Sequence, residues 1–76
     1  GGKQYDVVIG NIIARVLISI ADDLRAATKP GGLLLLSGII EPKEIETRER
    51  FDALGLDLLG RNQIEDWISL AYRAPA

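Results

Sequence analysis

Two short apolar runs, each followed by a segment with helical spacing, constrain the fold of this chain most strongly. Residues 5–9 (YDVVI) are mostly β-branched, and residues 33–40 (LLLLSGII) contain four consecutive leucines. Nearly continuous apolar runs of this length are typical of parallel strands that are buried on both faces of a sheet. We therefore expect two parallel strands, both buried, joined by a right-handed helical crossover.

The segments that follow these runs carry apolar stripes with steps of three and four residues, which predict helices. One helix is predicted from about Ile13 to Ala27, and residues 30–32 (PGG) should end it. A second helix is predicted from Pro42 to about Leu54, before Gly55. It should be largely solvated, with a thin apolar edge that contains Thr47, Phe51 and Leu54 but not Ile45.

The C-terminal part of the chain has a different pattern. Residues 56–60 and 67–73 are predicted strands, and the polar residues 61–66 between them are predicted to form a turn. This connection is too short for a helical crossover, so the two strands should form an antiparallel hairpin. Trp67 is expected in the core. The whole pattern predicts an α/β fold, a partial doubly wound (Rossmann-like) sheet with the element order β-α-β-α-β-β.

Composition excludes several classes of function. The 76 residues include no cysteine and no histidine, which removes disulfides, thiolate metal sites and the commonest general base. We therefore expect no metal site. The net charge is −2 without a basic cluster, which argues against nucleic-acid binding. No apolar run is long enough to span a bilayer, and the cytoplasm is the expected compartment.

Asn11 is the first candidate site residue. It follows the first predicted strand at its carboxyl end, where open α/β sheets place their ligands. Its amide could orient a substrate amine or contact a cofactor. The commoner role would be to cap the helix that begins near Ile13. Gly10 would either permit a close ligand approach or be an ordinary loop glycine.

The other candidates have simpler interpretations. The chain contains neither G-x-G-x-x-G nor G-x-x-x-x-G-K, so it has no phosphate-gripping loop of those kinds. Ser37 lacks a histidine base that would make it a nucleophile. Glu41 is expected to favour the start of the second helix. Glu65 and Asp66 are expected in a solvated turn, because neighbouring strand residues point to opposite faces.

Three segments together resemble a known family. They are residues 5–14 (YDVVIGNIIA), residues 29–32 (KPGG) and residues 33–40 (LLLLSGII), and the later pair Asp66 and Trp67 supports them. They look like the C-terminal half of a class I S-adenosylmethionine-dependent methyltransferase of the PrmA type, which methylates a ribosomal protein. The resemblance covers residues 1–76 as one fragment of a single catalytic domain.

This resemblance implies roles for two residues. Asn11 matches the turn after the fourth strand of the family, beside the methyl donor and the incoming amine, so it would be both catalytic and cofactor-binding. Ile12 would form part of the same cofactor-binding wall. Gly10 stands where alanine is usual, and the segment NIIA stands where related amine methyltransferases have Asn-Pro-Pro-aromatic. The glycine loop and the acidic ribose-binding residue of the family have no counterpart in this chain.

The expected function is S-adenosylmethionine-dependent N-methylation of a lysine or other amine of a ribosomal protein. The fragment alone is expected to be inactive, because the main cofactor loop is missing from it. A non-catalytic α/β interaction module is the alternative, and half of a nicotinamide-dependent oxidoreductase is a weaker one. The resemblance also implies the sheet order first, second, fourth, third, with only the last strand antiparallel. The first strand would then be a bare edge through which two copies could form a homodimer.

Overall fold

The computed structural model describes residues 3–76, which form a four-stranded mixed sheet with helices against one face. The elements are β1 (Tyr5–Asn11), α1 (Ala14–Ser19), α2 (Ala21–Ala27), β2 (Thr28–Ile40), α3 (Glu44–Asp52), β3 (Asp57–Ile64) and β4 (Trp67–Arg73), with a short 3-10 turn (Glu41–Lys43) before α3. The strands lie in the order β1-β2-β4-β3. β1 is parallel to β2, and β4 is antiparallel to both of its neighbours. This is an α/β fold with the implied sheet order.

The first crossover contains two short helices where the sequence predicts one. The break lies at Ile20, whose φ of −107° and ψ of 15° leave the helical range. The hydroxyl of Ser19 donates a hydrogen bond to the carbonyl oxygen of Val16 at 2.7 Å, and the Ile20 N–H donates to the same oxygen at 3.0 Å. Such back-bonding by serine competes with the helical ladder and bends helices. The predicted apolar stripe survives the break, because Leu17 and Ala21 are both fully buried.

The Pro-Gly-Gly segment lies inside β2, not before it. Tyr5 pairs with Thr28 and Val7 pairs with Leu33, so residues 29–32 bulge out of the strand between these two pairs. Gly31 takes a φ of +77° in this bulge. The helix ends at Ala27, the predicted residue, but Thr28 and Lys29 already belong to β2, so the Pro-Gly-Gly segment is not what ends it. Pairing with β1 occurs on both sides of the segment, because a bulge interrupts a ladder only locally.

β3 is longer than its sequence indicates. It continues to Ile64, so the prediction of a turn over residues 61–66 is wrong, and the turn contains only Glu65 and Asp66. Glu65 adopts a φ of +54° there. Arg61 remains in the strand because its guanidinium binds the Glu44 carboxylate on α3. Polar composition alone is typical of a loop, but here a partner on the neighbouring helix supports a polar strand.

The core lies between the helices and the face of the sheet that they cover. Phe51 and Thr47 of α3 are fully buried and Ile45 is 73% exposed, which confirms the predicted thin edge of that helix. Tyr72 stacks on Phe51 with ring centroids 6.0 Å apart, and its hydroxyl donates to Asp52 at 3.0 Å. Burial raises the pKa of Tyr72. The buried apolar residues are Ala14, Leu17, Ala21, Leu34, Leu36, Ile39, Phe51, Leu56, Ile68, Leu70, Tyr72 and Ala74.

The opposite face of the sheet is open in residues 3–76. Tyr5, Val7 and Ile9 of β1 are 53%, 49% and 68% exposed, so the prediction that β1 is buried on both faces is wrong. Leu33 and Leu35 of β2 are half-buried. We call these five residues the open face. Its exposure follows from the placement of all three helices on the other side of the sheet. None of the described helices is long and apolar enough to cross a bilayer.

Candidate functional site

The carboxyl ends of β1 and β2 meet at one edge of the sheet, because the two strands are parallel. Asn11 ends β1 and is the register partner of Ser37 in β2. Gly38 follows Ser37 with a φ of +81°, and the pairing of β2 with β4 shifts register between Leu36 and Ile39. This bulge turns the backbone of β2 at the level of Asn11. The predicted site residues are therefore brought to the edge where such sheets place ligands.

The Asn11 amide does not cap α1. The N-cap position belongs to Ile13, and no side chain makes a hydrogen bond to that cap, so the capping interpretation is wrong. Asn11 is exposed, and its Oδ1 lies against the backbone of Gly38. A Cβ atom at position 38 would be only 3.1 Å from this oxygen. The amide is thus placed at the edge of the sheet with a donor and an acceptor for a ligand.

Ile12 lies next to the Asn11 amide and is 39% exposed. Its carbonyl oxygen would be 3.3 Å from a Cβ atom at Gly38, so the Asn11 side chain and the Ile12 backbone approach the same glycine. Because Gly38 has no Cβ atom, the end of β1 can pack closely against β2 without a side chain pressing on the Asn11 amide. Sequence reasoning noted Ser37 and Gly38 only as small residues at the sheet edge.

Gly10 has neither of the roles that its sequence position predicts. It lies within β1, is buried, and would bring a Cβ atom to 2.9 Å from Cδ2 of Leu17 on α1. It therefore lets the first helix pack closely on the strand, and it is neither a loop glycine nor a point of ligand approach. The atoms nearest to the missing side chain are the flexible ends of Leu17, Leu24 and Leu36.

A small apolar pocket adjoins this edge. Its walls include Ile13, Gly38, Ile40 and Trp67, and its volume is about 250 Å³. Trp67 is 53% exposed, so the prediction that it lies in the core is wrong. The sequence contained a signal for this, because Trp67 alternates with Ile68, Leu70 and Tyr72 and adjacent strand residues point to opposite faces. In the structure the face with Ile68 is the buried one.

Arg15 and Lys43 complete the lining of this pocket and add positive charge. Lys43 also forms an ion pair with Glu46, at 3.7 Å between Nζ and Oε2. Lys43 and Glu46 are both exposed, and ion pairs between exposed residues are weak and screened by salt. The inner surface of the pocket is therefore apolar and its charges belong to residues in contact with solvent.

The β3–β4 turn is attached to the start of the 3-10 turn by hydrogen bonds. The Glu41 N–H donates to the Asp66 carbonyl oxygen at 2.8 Å. The Gln63 Nε2 donates to Glu41 Oε2 at 3.2 Å and to the Glu65 carbonyl oxygen at 2.9 Å. Glu41 thus has a structural partner, and Glu65 and Asp66 lie in the turn as predicted. Among residues 3–76, no three potential metal-ligating side chains come together.

The fold and the site can now be compared with known proteins. The family model described as Ribosomal protein L11 methyltransferase (PrmA) matches residues 2–75 of this chain. The chain belongs to this family. A ribosomal protein L11 methyltransferase of Chloroflexus aurantiacus is 45% identical over 71 residues, which are 93% of this chain and 22% of that protein. A Nitratiruptor relative with the same description is 48% identical over 71 residues, or 93% of this chain and 24% of that protein.

Solved structures agree with this PrmA membership at the level of the fold. The ribosomal protein L11 methylase of Lactobacillus delbrueckii superposes with a TM-score of 0.91 at 19% identity, covering 99% of this chain and 39% of that one. A methyltransferase from Pyrococcus furiosus superposes with a TM-score of 0.75 at 16% identity, covering 100% of this chain and 44% of that one. The chain therefore has the fold of one part of these enzymes, and it spans about a quarter of the length of the curated PrmA relatives.

Proposed function

We propose that this chain is the C-terminal part of the catalytic domain of an S-adenosylmethionine-dependent methyltransferase that modifies an amine of a ribosomal protein. Membership of the PrmA family supports the reaction class and the substrate class. A ribosomal-protein substrate would place the reaction in the cytoplasm. One observation carries the proposal: the Asn11 amide lies at the carboxyl end of β1 against Gly38 and does not cap α1.

The residues at this edge fit one wall of a site for S-adenosylmethionine. The Asn11 amide, the exposed Ile12 side chain and the close backbone approach at Gly38 form a surface without an obstructing side chain. When bound, S-adenosylmethionine supplies a sulfonium methyl group for transfer to an amine. Asn11 and Ile12 would contact this cofactor. The chain has no glycine-rich phosphate or nucleotide loop, so the rest of the cofactor site would come from other parts of the full protein.

Asn11 would act by positioning the substrate. Its Oδ1 can accept a hydrogen bond from the attacking amine and so direct the nitrogen lone pair, while Ile12 limits the space beside it. A neutral amine already has a nucleophilic lone pair and needs no strong base in the same step. The absence of histidine from the chain is compatible with this chemistry. Orientation of the two reactants is the main contribution that these residues can make.

A chimera tests the proposal directly. The matching 71-residue segment of the Chloroflexus aurantiacus relative would be replaced by this chain, and transfer of a radiolabelled methyl group to ribosomal protein L11 would be measured. We expect an active chimera, and we expect Asn11→Ala to lower kcat by about 10²-fold because the amine loses its orientation. Asn62→Ala, at an exposed position in β3, is the matched control and should keep full activity. Unchanged activity of Asn11→Ala would contradict the assigned role.

The isolated chain should be inactive and should not bind the cofactor tightly. Isothermal titration calorimetry of the 76 residues with S-adenosylmethionine measures this. We expect no saturable heat at micromolar concentrations, because a single wall of a site offers few contacts and the cost of immobilising the ligand is not recovered. Micromolar binding would contradict the proposal that most of the cofactor site lies elsewhere.

A non-catalytic interaction module is the second candidate, and the open face favours it. Tyr5, Val7 and Ile9 present a contiguous apolar strip of the kind that marks protein–protein contacts. An inactive but folded chimera would favour this candidate over the methyltransferase.

A further inference from the structure

We propose that Ser19 is a positioning residue for methyl transfer. Its hydroxyl keeps α1 and α2 apart as two helices, and the break between them at Ile20 sets the direction of α1 and so the place of the Asn11 amide. The inference rests on the proposed function, in which Asn11 orients the amine. Ser19 would touch neither the cofactor nor the substrate, and it would act on the reaction only through the course of α1.

The first support is the short connection between Asn11 and α1. Asn11 is the last residue of β1, and only Ile12 and Ile13 separate it from Ala14, where α1 begins. Ile13 is already extended, with a φ of −61° and a ψ of 148°. Two residues leave little slack, because a residue spans at most about 3.6 Å. A change in the direction of α1 therefore moves the end of β1 that carries the amide.

The second support is that the two helices are attached to the fold by different contacts. α1 is held by apolar packing, since Ala14 and Leu17 are its buried residues. α2 is also held by side-chain hydrogen bonds to other parts of the chain, which join Arg50 to Asp22, Arg25 to the Leu54 carbonyl and Gln4 to the Ala26 carbonyl. Apolar contacts are non-directional, whereas hydrogen bonds require a fixed geometry. If residues 14–27 became one straight helix, we therefore expect α1 to turn and α2 to stay in place.

The third support is that Ser19 supplies the local cause of the break. Residues 14–27 contain no proline and no glycine, which are the common causes of a kink. The Ser19 hydroxyl instead donates to the Val16 carbonyl oxygen at 2.7 Å, where it competes with the Ile20 N–H at 3.0 Å. Alanine at position 19 would favour a continuous helix. An interruption kept against the local preference for helix is expected where function needs it.

Nuclear magnetic resonance of the 76-residue chain tests the break without any activity. Ser19→Ala removes the hydroxyl, so the Cα chemical shift of Ile20 should move toward helical values, and the side-chain amide signals of Asn11 should shift with it. The chain has one other asparagine, Asn62 in β3, whose amide signals should stay in place. The thermal midpoint of Ser19→Ala should rise by about 2–4 °C, because alanine is the better helix former.

Activity of the chimera tests the consequence for methyl transfer. Ser19→Ala should lower kcat about three- to tenfold, because a small displacement of an orienting group slows the reaction strongly. A variant that is more stable yet slower cannot owe its loss to unfolding. Ser19→Thr keeps a hydroxyl that can bond the same carbonyl, and it should restore most of kcat. Asp23→Ala, at an exposed position of α2 away from the break, is the matched control and should keep full activity.

The outcomes separate this inference from the proposed function. An active chimera in which Ser19→Ala keeps full kcat would overturn the role of Ser19 alone. So would a loss of kcat while the Ile20 and Asn11 signals stay in place, or equal losses in Ser19→Ala and Asp23→Ala. An inactive chimera would contradict the proposed function instead, and the Ile20 and Asn11 signals would still decide whether Ser19 sets the position of the amide.

Discussion

Gly38 has a φ of +81°, and its missing side chain leaves room for the Asn11 amide. Either property alone would favour glycine, because an L-residue is strained at this φ and a Cβ atom would come within 3.1 Å of Oδ1. Gly31 has the first property without the second: its φ is +77°, and no described atom would lie within 4 Å of a Cβ there. A comparison of substitutions at Gly38 and Gly31 therefore distinguishes the effect of backbone strain from the effect of displacing the Asn11 amide.

Gly38→Ala and Gly31→Ala should each destabilise the chain by about 1–2 kcal/mol, because both place an L-residue at positive φ. Only Gly38→Ala should also lower methyl transfer in the chimera, because its Cβ atom would displace the Asn11 side chain. Urea unfolding followed by circular dichroism gives the first quantity, and the radiolabel assay gives the second. If the two variants lost activity equally, backbone strain and not displacement of the Asn11 amide would explain the loss of activity in Gly38→Ala.

At the scale of elements, β3 is attached to α3 by charge as well as by apolar packing. Glu44 receives hydrogen bonds from the Arg61 guanidinium, including one from Nη2 to Oε1 at 2.7 Å, and Arg48 lies 3.6 Å from the same carboxylate. The hydrogen bonds from Arg61 hold the pKa of Glu44 below its ordinary value of 4.5. Because the folded-state pKa is lower than the unfolded one, the pair stabilises the fold above pH 4.5, and this contribution is lost as the pH falls through the folded-state pKa.

The stability difference between the wild-type chain and Glu44→Gln should therefore be small and favour the wild type at pH 7, and it should be smaller at pH 3, because the contribution declines as the pH falls below 4.5. Thermal midpoints measured at both pH values check this. Glu49→Gln, on the exposed side of the same helix, is the control and should show a smaller pH-dependent difference. A wild-type advantage over Glu44→Gln that stayed constant down to pH 3 would contradict the linkage to the Glu44 carboxylate.

At the scale of the whole molecule, the two edge strands, β1 and β3, and one face of the sheet lack a partner within residues 3–76. β1 pairs only with β2 among the described strands, and the open face presents Tyr5, Val7 and Ile9. An unpaired edge strand with apolar side chains favours association with another strand. In the full-length relatives, most of the chain lies outside the matched segment and is available to cover these surfaces. In the isolated chain, a second copy is the available partner.

We therefore expect the isolated chain to form a dimer through β1, with a sedimentation coefficient that rises with concentration. Ile9→Lys should shift the population toward monomer, because it places a charge on the open face at a position that is 68% exposed. Ile45→Lys makes the same chemical change at a 73% exposed position on α3 and should leave the dimer intact. Purely monomeric sedimentation of the unmodified chain at all concentrations would contradict the expected homodimer.

The agreement between sequence and structure is best where the pattern is local. Alternation in residues 67–73 predicted that Ile68, Leu70 and Tyr72 share one face of β4, and the structure shows that this face is buried. The spacing of Thr47 and Phe51 predicted the apolar edge of α3, and both residues are buried. Periodicity reports which residues of one element point the same way, because side-chain direction follows from the backbone of that element alone. The resemblance implied the sheet order and the family as well, and neither could have come from periodicity.

The errors concern contacts between elements. Arg61 looks like a turn residue until its partner Glu44 on α3 is known. Asn11 looks like a helix cap until the N-cap is found at Ile13. In both cases the sequence offers a local partner for a polar group, but the fold provides a different neighbour. The roles of Asn11 and Ile12 in catalysis and cofactor contact stay predictions until the Asn11 variant of the chimera is assayed.

By itself, the sequence determined the α/β class, the approximate positions of the strands and the residues of each element that seek burial. The tertiary structure decided which of those residues are covered. Tyr5, Val7 and Ile9 have the composition of a buried strand, but all three described helices lie on the other face of the sheet. Trp67 has the composition of a core residue, but β4 turns it toward the pocket beside Gly38. Apolar character is a property of a side chain, whereas burial requires a second element on the same side, and only the packed fold places one there.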